Sequence, residues 1–193
     1  MAKLYFRYGV MGSSKSAQAL ITKFNYEEQG MRVWLIKPAA DTRYGADKVH
    51  SRIGLEQPAD VIDDDMDLYE VFRDREREFY DVIIVDEAQF LQPAHVEQLR
   101  EIVDYYNVPV FCFGLRTDFR TRLFPGSARL FELADSVTEL KTVCTCGGKA
   151  MVNARIDAES RVVTEGEQFL LGGNESYRPM CYKCWKLKSK SEK

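Results

Sequence analysis

The chain opens with the short apolar stretch Leu4-Tyr5-Phe6-Arg7-Tyr8, which continues directly into Gly9-Val10-Met11-Gly12-Ser13-Ser14-Lys15-Ser16. The second stretch follows the phosphate-binding pattern G-x-x-x-x-G-K-[ST] except at its sixth position, where Ser14 replaces glycine. In this pattern a tight loop directs backbone N–H groups at phosphate oxygens, a lysine reaches the terminal phosphates and a hydroxyl binds Mg²⁺. Lys15 and Ser16 supply the last two groups. Taken alone, the stretch also fits a Gly/Ser-rich turn between a strand and a helix.

The residues that follow alternate strand-like and helix-like segments as far as about residue 140. The predicted strands are 3–9, 32–36, 82–85 and 108–113, and the predicted helices are 15–29, 67–79 and 93–105. The strand Val82–Val85 is a continuous apolar run, as is typical of a strand buried on both faces of a parallel sheet. Such alternation implies right-handed βαβ units. The predicted fold class is therefore α/β, with a parallel sheet covered by helices.

Composition limits the class of protein. The 193 residues suffice for one full domain with a small appendage, and 45% hydrophobic with 30% charged residues is typical of a soluble globular protein. The net charge of −3 argues against a basic field that would recruit nucleic acid or an anionic membrane. The sequence has no apolar run of about 18 residues and no signal peptide after Met1, so we expect a cytoplasmic protein.

A second motif, Val82-Ile83-Ile84-Val85-Asp86-Glu87, ends a buried strand in two acids. The strand delivers Asp86 to the carboxyl edge of the sheet, where its carboxylate can hold Mg²⁺ directly or through water. Glu87 would face the γ-phosphate and could take a proton from an attacking hydroxyl. The alternative is a strand that ends in two solvated acids. Its pairing with Gly9–Ser16, some 70 residues earlier, favours a nucleotide site.

A third element, Asp41-Thr42-Arg43-Tyr44, follows the second predicted strand and so also lies at the carboxyl edge. Asp41 could serve Mg²⁺ and Arg43 could serve phosphate. By itself this segment fits a turn with an exposed, salt-bridging arginine slightly better.

The chain has five cysteines, and this odd number fits a disulfide scaffold poorly. Cys112 lies in an apolar run and is predicted to be a core residue. The other four form two close pairs, Cys144-Thr145-Cys146 and Cys181-Tyr182-Lys183-Cys184, and four thiolates suit tetrahedral Zn²⁺. The first pair is spaced more tightly than usual, which leaves Cys144 the least certain ligand. Alternatively, some of these cysteines are structural thiols.

Taken in order, these motifs resemble the zinc-containing, cellular and bacterial type (type II) of the thymidine kinase family. The segments that carry the resemblance are Gly9–Ser16, Asp41–Tyr44, Asp86-Glu87-Ala88-Gln89-Phe90, Gly114-Leu115-Arg116-Thr117-Asp118-Phe119-Arg120 and Gly172-Gly173-Asn174-Glu175-Ser176-Tyr177. They run across most of the chain, and the combination of D-E-x-Q-F with G-G-x-E-x-Y is highly specific. The resemblance implies a RecA-like P-loop domain followed by a small zinc-binding domain with a lasso loop over the nucleoside.

The resemblance also implies roles for individual residues. Glu87 would be the catalytic base on the 5′-hydroxyl of thymidine, or of deoxyuridine. The ATP phosphates would be bound by Gly9–Ser16 and Arg43, and Mg²⁺ by Ser16, Asp86 and Asp41. The nucleoside pocket would comprise Phe90, Leu115, Phe119, Gly172 and Tyr177, and a structural Zn²⁺ would be held by Cys144, Cys146, Cys181 and Cys184. The departure at Ser14 would have a small cost if its φ angle stayed negative.

The expected organisation is a nucleotide-binding domain at 1–140, a zinc and lasso domain at 141–184 and a flexible basic tail at 185–193. The expected partners are ATP and thymidine, with neither nucleic acid nor membrane, and the resemblance implies a homotetramer. Two other functions fit parts of the sequence. One is a P-loop ATPase in which Glu87 activates water. The other is a regulatory protein whose zinc module contacts a partner and in which Ser14 marks a decayed nucleotide site.

Overall fold

A computed structural model describes residues 1–41, 45, 47–74, 80–168 and 176–190. Its centre is a six-stranded, all-parallel sheet in the order β5-β2-β6-β7-β1-β8. The strands are β1 (Leu4–Tyr8), β2 (Val33–Pro38), β5 (Asp60–Ile62), β6 (Val82–Val85), β7 (Val110–Gly114) and β8 (Ser136–Glu139). The predicted α/β fold class is thereby confirmed, and β7 lies between the strands that carry the two nucleotide-site motifs.

Four helices accompany this sheet: α1 (Lys15–Glu27), α2 (Leu68–Asp74), α3 (Pro93–Tyr106) and α4 (Pro125–Leu133). A short 3₁₀ helix, Ala88–Phe90, directly follows the acidic end of β6. The predicted helix at 67–79 is observed over Leu68–Asp74, and residues 75–79 lie outside the described part of the chain. The other predicted strands and helices are found within two residues of their expected ends.

Side-chain alternation along the strands places the core on both faces of the sheet. Ile83 and Val85 of β6 join one apolar cluster, together with Leu99 of α3. The alternate residue Ile84 joins a second cluster on the other face, together with Leu20 of α1. This period of two, with both sets apolar, is what a strand covered by helices on both faces requires. The sheet is therefore held between its helices. Because its strands are all parallel, their C-terminal ends lie together at one edge, the carboxyl edge.

A smaller, three-stranded antiparallel sheet follows in the order β10-β9-β11, from β9 (Val152–Ile156), β10 (Val162–Val163) and β11 (Tyr177–Met180). The last helix, α5 (Tyr182–Lys190), packs its partly buried Trp185 against the same small apolar cluster as Cys144 and Cys181. The helix occupies most of the segment for which the sequence predicted a tail. The helix forms because Trp185 packs against this cluster. The many lysines around Trp185 gave no indication of that contact.

The structure also contains a two-stranded hairpin, β3 (Lys48–His50) with β4 (Glu56–Pro58), between β2 and β5. Its strands are only three residues long, and β4 is exposed throughout. These strands are therefore too short to show the alternation of apolar and polar residues by which a hairpin could be identified from sequence.

Candidate functional site

The phosphate loop, Gly9–Ser16, joins β1 to α1 at the carboxyl edge of the large sheet. Its start is tightly packed, because a Cβ on Gly9 would lie 2.3 Å from the Ser13 Oγ and 2.5 Å from the Leu140 carbonyl oxygen. The Lys15 side chain is buried and its ammonium donates to the Val10 carbonyl at 2.9 Å. The loop thus encloses its lysine, and α1 begins at Lys15 with its N-terminus directed at this edge.

Ser14 departs from the sequence-based expectation. A small cost at this position depended on a negative φ angle, but the structure gives φ +61° and ψ 27°, the left-handed conformation of the residue that precedes helix α1. The sixth position therefore has the backbone conformation for which glycine is suited, and the serine bears a steric cost of roughly 1–2 kcal/mol. The loop keeps its shape because the surrounding packing fixes it.

We expect Ser14→Gly to raise the free energy of unfolding by about 1 kcal/mol, because glycine adopts a positive φ without steric cost. Urea unfolding of the purified protein measures the change. Ser14→Ala is the matched control, since alanine retains the Cβ and should show no such gain. Equal stability of the glycine and alanine variants would contradict a strained Ser14.

Asp86 lies at the end of β6 and faces the phosphate loop. It is 4% exposed, and the Ser16 side chain forms a hydrogen bond with its carboxylate. Burial, and then the neighbouring charge of Glu87, raises the pKa of Asp86 to about 7, while the bond from Ser16 and the charge of Lys15 oppose that rise. A divalent cation at this carboxylate would favour its ionised form. The pair Ser16 and Asp86 is therefore suited to hold Mg²⁺.

Glu87 also has a left-handed backbone, with φ 51°. Its carboxylate accepts a hydrogen bond from the side-chain amide of Gln89, and the Gln89 Oε1 in turn accepts the Leu115 N–H at 2.9 Å. Gln89 is 1% exposed. Strained backbone at a partly exposed acid is a recurrent feature of functional sites. Sequence reasoning quoted Gln89 within a motif but gave it no role; the structure shows that it orients Glu87.

The phosphate loop borders a cavity of about 370 Å³, which we call the phosphate-loop cavity. Both Asp86 and Glu87 line it, as does the β3–β4 hairpin through residues including His50 and Ile53. Asp41 lines it too, and one of its carboxylate oxygens lies 3.2 Å from the buried ammonium of Lys37. The structure thus brings Asp41 to the site in a charge pair that the sequence did not predict.

A second opening, the apolar crevice, shares Met11, Glu87 and Leu115 with the phosphate-loop cavity and has a volume of about 20 Å³, room for about one water molecule. It is lined by Met11, Glu87, Leu115, Thr117, Asp118, Phe119, Phe124, Asn153, Gln168 and Tyr177. Predicted pocket residues Leu115, Phe119 and Tyr177 are therefore together. Phe90 instead packs edge-to-face on Phe124, with 5.7 Å between ring centroids.

Arg155, on β9, organises one wall of the apolar crevice. Its guanidinium carbon lies 3.7 Å from the centroid of the Phe119 ring, and its Nη2 and Nε donate to the Tyr177 hydroxyl at 2.6 and 3.0 Å. Only 4% of Arg155 is exposed. Arginine can stack its planar guanidinium on an aromatic ring and at the same time donate hydrogen bonds in the plane of the guanidinium, which lysine cannot do. Arg155 had no role in the sequence-based predictions, because the polar and charged residues of its segment give no sign of burial.

The four predicted zinc ligands converge. The sulfur atoms of Cys144, Cys146, Cys181 and Cys184 all lie within 4.8 Å of one another. The Cys146 and Cys181 sulfurs are 3.7 Å apart, close to the roughly 3.8 Å edge of a tetrahedron with Zn–S bonds of about 2.3 Å. Backbone N–H groups of Cys146 and Cys181 lower the pKa of the Cys144 thiol to about 6, whereas the sulfurs around Cys184 raise its pKa to about 12. The cluster fits Zn²⁺, and Cys144 belongs to it.

Two predicted site residues, Arg43 and Gly172, lie outside the described residues, as does most of the G-G-x-E-x-Y segment. The fifth cysteine, Cys112, is fully buried in β7, as expected of a core residue. Within the described ranges, no helix combines the length and apolar character needed to cross a membrane.

Comparison with known proteins identifies the family. The thymidine kinase family model matches residues 2–185. The chain belongs to the thymidine kinase family. The thymidine kinase of Enterobacteria phage T4 is 47% identical over 187 residues, covering 96% of each chain. That of Legionella pneumophila (strain Lens) is 48% identical over 94% of this chain and 88% of its own. That of Salmonella typhimurium is 46% identical over 96% of this chain and 91% of its own.

Membership confirms the resemblance drawn from the motifs. The match extends from residue 2, before the first strand, to residue 185, within the first turn of α5, so the phosphate loop, the acidic end of β6 and the cysteine cluster all lie inside the matched region. A thymidine kinase transfers a phosphoryl group to an alcohol. The phosphate-loop cavity, the apolar crevice and the Glu87 carboxylate that borders both are therefore the candidate parts of a phosphoryl-transfer site.

Proposed function

We propose that the protein transfers the γ-phosphoryl group of ATP to the 5′-hydroxyl of thymidine, and also accepts deoxyuridine. The observation that carries the proposal is the position of Glu87, which borders both the phosphate-loop cavity and the apolar crevice. A carboxylate that borders both a polyphosphate site and a nucleoside site is placed to contact the 5′-hydroxyl of the nucleoside, which attacks the γ-phosphate. The family to which the chain belongs, and its relatives named thymidine kinase, support the same reaction.

In this proposal ATP occupies the phosphate-loop cavity. Backbone N–H groups of Gly9–Ser16 and the Lys15 ammonium would bind its phosphates, and Arg43 would join them. Mg²⁺ bound with ATP would be held by the Ser16 hydroxyl and by Asp86, with Asp41 nearby. Phosphoryl transfer depends chiefly on such positioning and on neutralisation of charge at the phosphates. Lys15 would have to release the Val10 carbonyl to reach them.

Glu87 would act as the general base. As the 5′-oxygen forms its bond to the γ-phosphorus and the bond to the β–γ bridging oxygen breaks, the hydroxyl proton would pass to the Glu87 carboxylate and ADP would leave. The hydrogen bond from Gln89 would hold this carboxylate in position. No covalent intermediate with the protein is required.

Thymidine would occupy the apolar crevice. The aromatic rings of Phe119 and Tyr177 border it, and flat apolar walls suit a pyrimidine. Phe90, through Phe124, and Gly172 would complete the pocket. Because the crevice has room for only about one water molecule, binding would require its walls to move apart. The walls would then close over the bound nucleoside, and this closure would exclude water from the γ-phosphate.

The decisive experiment supplies the purified protein with Mg²⁺-ATP and a panel of nucleosides and identifies the products. We expect 5′-monophosphates from thymidine and deoxyuridine, and little ATP consumption without a nucleoside. Nucleoside-independent hydrolysis at the same rate would instead indicate an ATPase in which Glu87 activates water. Undetectable ATP binding would favour a regulatory protein with a decayed nucleotide site.

The proposal includes a structural Zn²⁺ on the four cysteines, a cytoplasmic location and a homotetramer. It also includes the division into a nucleotide-binding domain at 1–140 and a zinc-binding domain at 141–184. The cysteine cluster supports the metal, and the family resemblance supports the tetramer. Light scattering during size-exclusion chromatography measures the assembly, and a monomeric mass would overturn that part of the proposal.

A further inference from the structure

The side chain of Asn153 joins two separate backbone segments beside the apolar crevice. Asn153 lies on β9, the central strand of the small sheet, and is 2% exposed. Its Oδ1 accepts the Met11 N–H at 2.7 Å, and its Nδ2 donates to the Thr117 carbonyl at 2.9 Å. Both ends of the carboxamide are therefore used. The two partners come from the large-sheet part of the chain, 142 and 36 residues away in sequence.

The two segments held by Asn153 serve different parts of the site. Met11 is the third residue of the phosphate loop and borders both the phosphate-loop cavity and the crevice. Thr117 follows β7 and borders the crevice, as does its neighbour Phe119. A single buried amide thus fixes the distance between the loop that would bind ATP and the wall that would bind the nucleoside.

The chemistry of the contacts makes asparagine specific at this position. The Met11 N–H needs an acceptor and the Thr117 carbonyl needs a donor, and loss of the partner leaves a partly buried N–H or a buried carbonyl unsatisfied. Aspartate has nearly the same shape but, when ionised, keeps only the acceptor. Leucine has a similar size and keeps neither. These two substitutions therefore separate the two contacts.

We propose that Asn153 is a positioning residue that holds the phosphate loop in register with the nucleoside crevice. The inference rests on the proposed function, because it assigns ATP and thymidine to the two openings. Arg155 supports it independently, since two residues along the same strand it contacts Phe119 and Tyr177, which also line the crevice. Strand β9 thus connects the zinc-binding part of the chain to the phosphate loop and to the wall of the crevice.

The test measures KM for thymidine, KM for ATP and kcat in Asn153→Asp and Asn153→Leu, at alkaline pH so that the aspartate stays ionised. In Asn153→Asp the Met11 contact persists, so we expect the thymidine KM to rise about 10- to 100-fold while the ATP KM stays near the wild-type value. In Asn153→Leu both contacts are lost, and both KM values should rise. Asn25→Asp on the exposed face of α1 controls for the added charge.

A merely structural role gives a different pattern. It would lower the fraction of folded protein and the melting temperature of both variants while leaving both KM values of the folded fraction unchanged, and that result would overturn the inference. Equal rises of the two KM values in Asn153→Asp would also overturn it. Isothermal titration with thymidine and with ATP covers the case in which a variant is too slow to assay. A wild-type protein that does not phosphorylate thymidine would reject the proposed function instead.

Discussion

Replacing Glu87 with glutamine is expected to lower kcat for thymidine phosphorylation by about 10²- to 10⁴-fold, the usual contribution of a general base. Glutamine preserves the size of the side chain and can occupy the same left-handed backbone, but its amide cannot accept the 5′-hydroxyl proton at neutral pH. It can still share a hydrogen bond with Gln89. ATP should therefore bind with unchanged affinity, because the phosphate loop, Lys15 and Asp86 are untouched.

The measurement pairs steady-state kinetics with titration of ATP into each variant. Glu97→Gln is the matched control, since Glu97 is an exposed residue of α3 whose pair with Arg129 contributes little at the surface. It should retain wild-type kcat. Turnover by Glu87→Gln close to that of Glu97→Gln would exclude Glu87 as the base. Loss of ATP binding in Glu87→Gln would show that the carboxylate serves the nucleotide rather than the nucleoside.

Contiguous motifs explain what the sequence could predict. The phosphate loop and the acidic end of β6 each lie within one strand-to-loop segment, so local residue pattern and parallel-sheet topology together place them at one edge. The cysteines could be grouped for a similar reason, because two close pairs of cysteines are typical of the ligands of a zinc site. The backbone of Ser14 was not predicted, although the glycine that the pattern has at this position is suited to a positive φ angle. A serine rarely adopts that conformation, so the residue itself gave no sign of it.

Asn153 and Arg155 show what local pattern conceals. Both are polar residues that alternate with apolar ones, a pattern that predicts a strand with one face in solvent. In the structure every residue of β9 is buried, because the phosphate loop and the turn after β7 cover the face that carries them. The covering segments lie more than 30 residues away in sequence. A single sequence gives no signal of that contact. Gln89, by contrast, lies in a recognisable motif, but the sequence did not indicate that it bonds Glu87.

Removal of the zinc ion proposed for the four cysteines is expected to have the largest effect on stability. Structural zinc sites contribute about 10–16 kcal/mol in small peptides, and here the four thiols connect the turn at Cys144 to the start of α5 at Cys181 and Cys184. Without metal, we expect β9 and β11 to separate from the phosphate loop and thymidine phosphorylation to be lost. ATP binding should persist, since α1 and the large sheet do not contain the cluster. Circular dichroism, zinc content and transfer rate after chelation measure these outcomes.

Single substitutions then assign the ligands. Cys144→Ser tests the member that the spacing left uncertain, and because its sulfur lies inside the cluster we expect it to lose zinc as readily as Cys184→Ser. Cys112→Ala is the control, since it removes a buried thiol from β7 without touching the cluster and should keep one zinc per chain. Full zinc content in Cys144→Ser would mean that three cysteines and another donor hold the metal. Wild-type thymidine turnover in zinc-free protein would show that the small sheet folds and positions Asn153 without it.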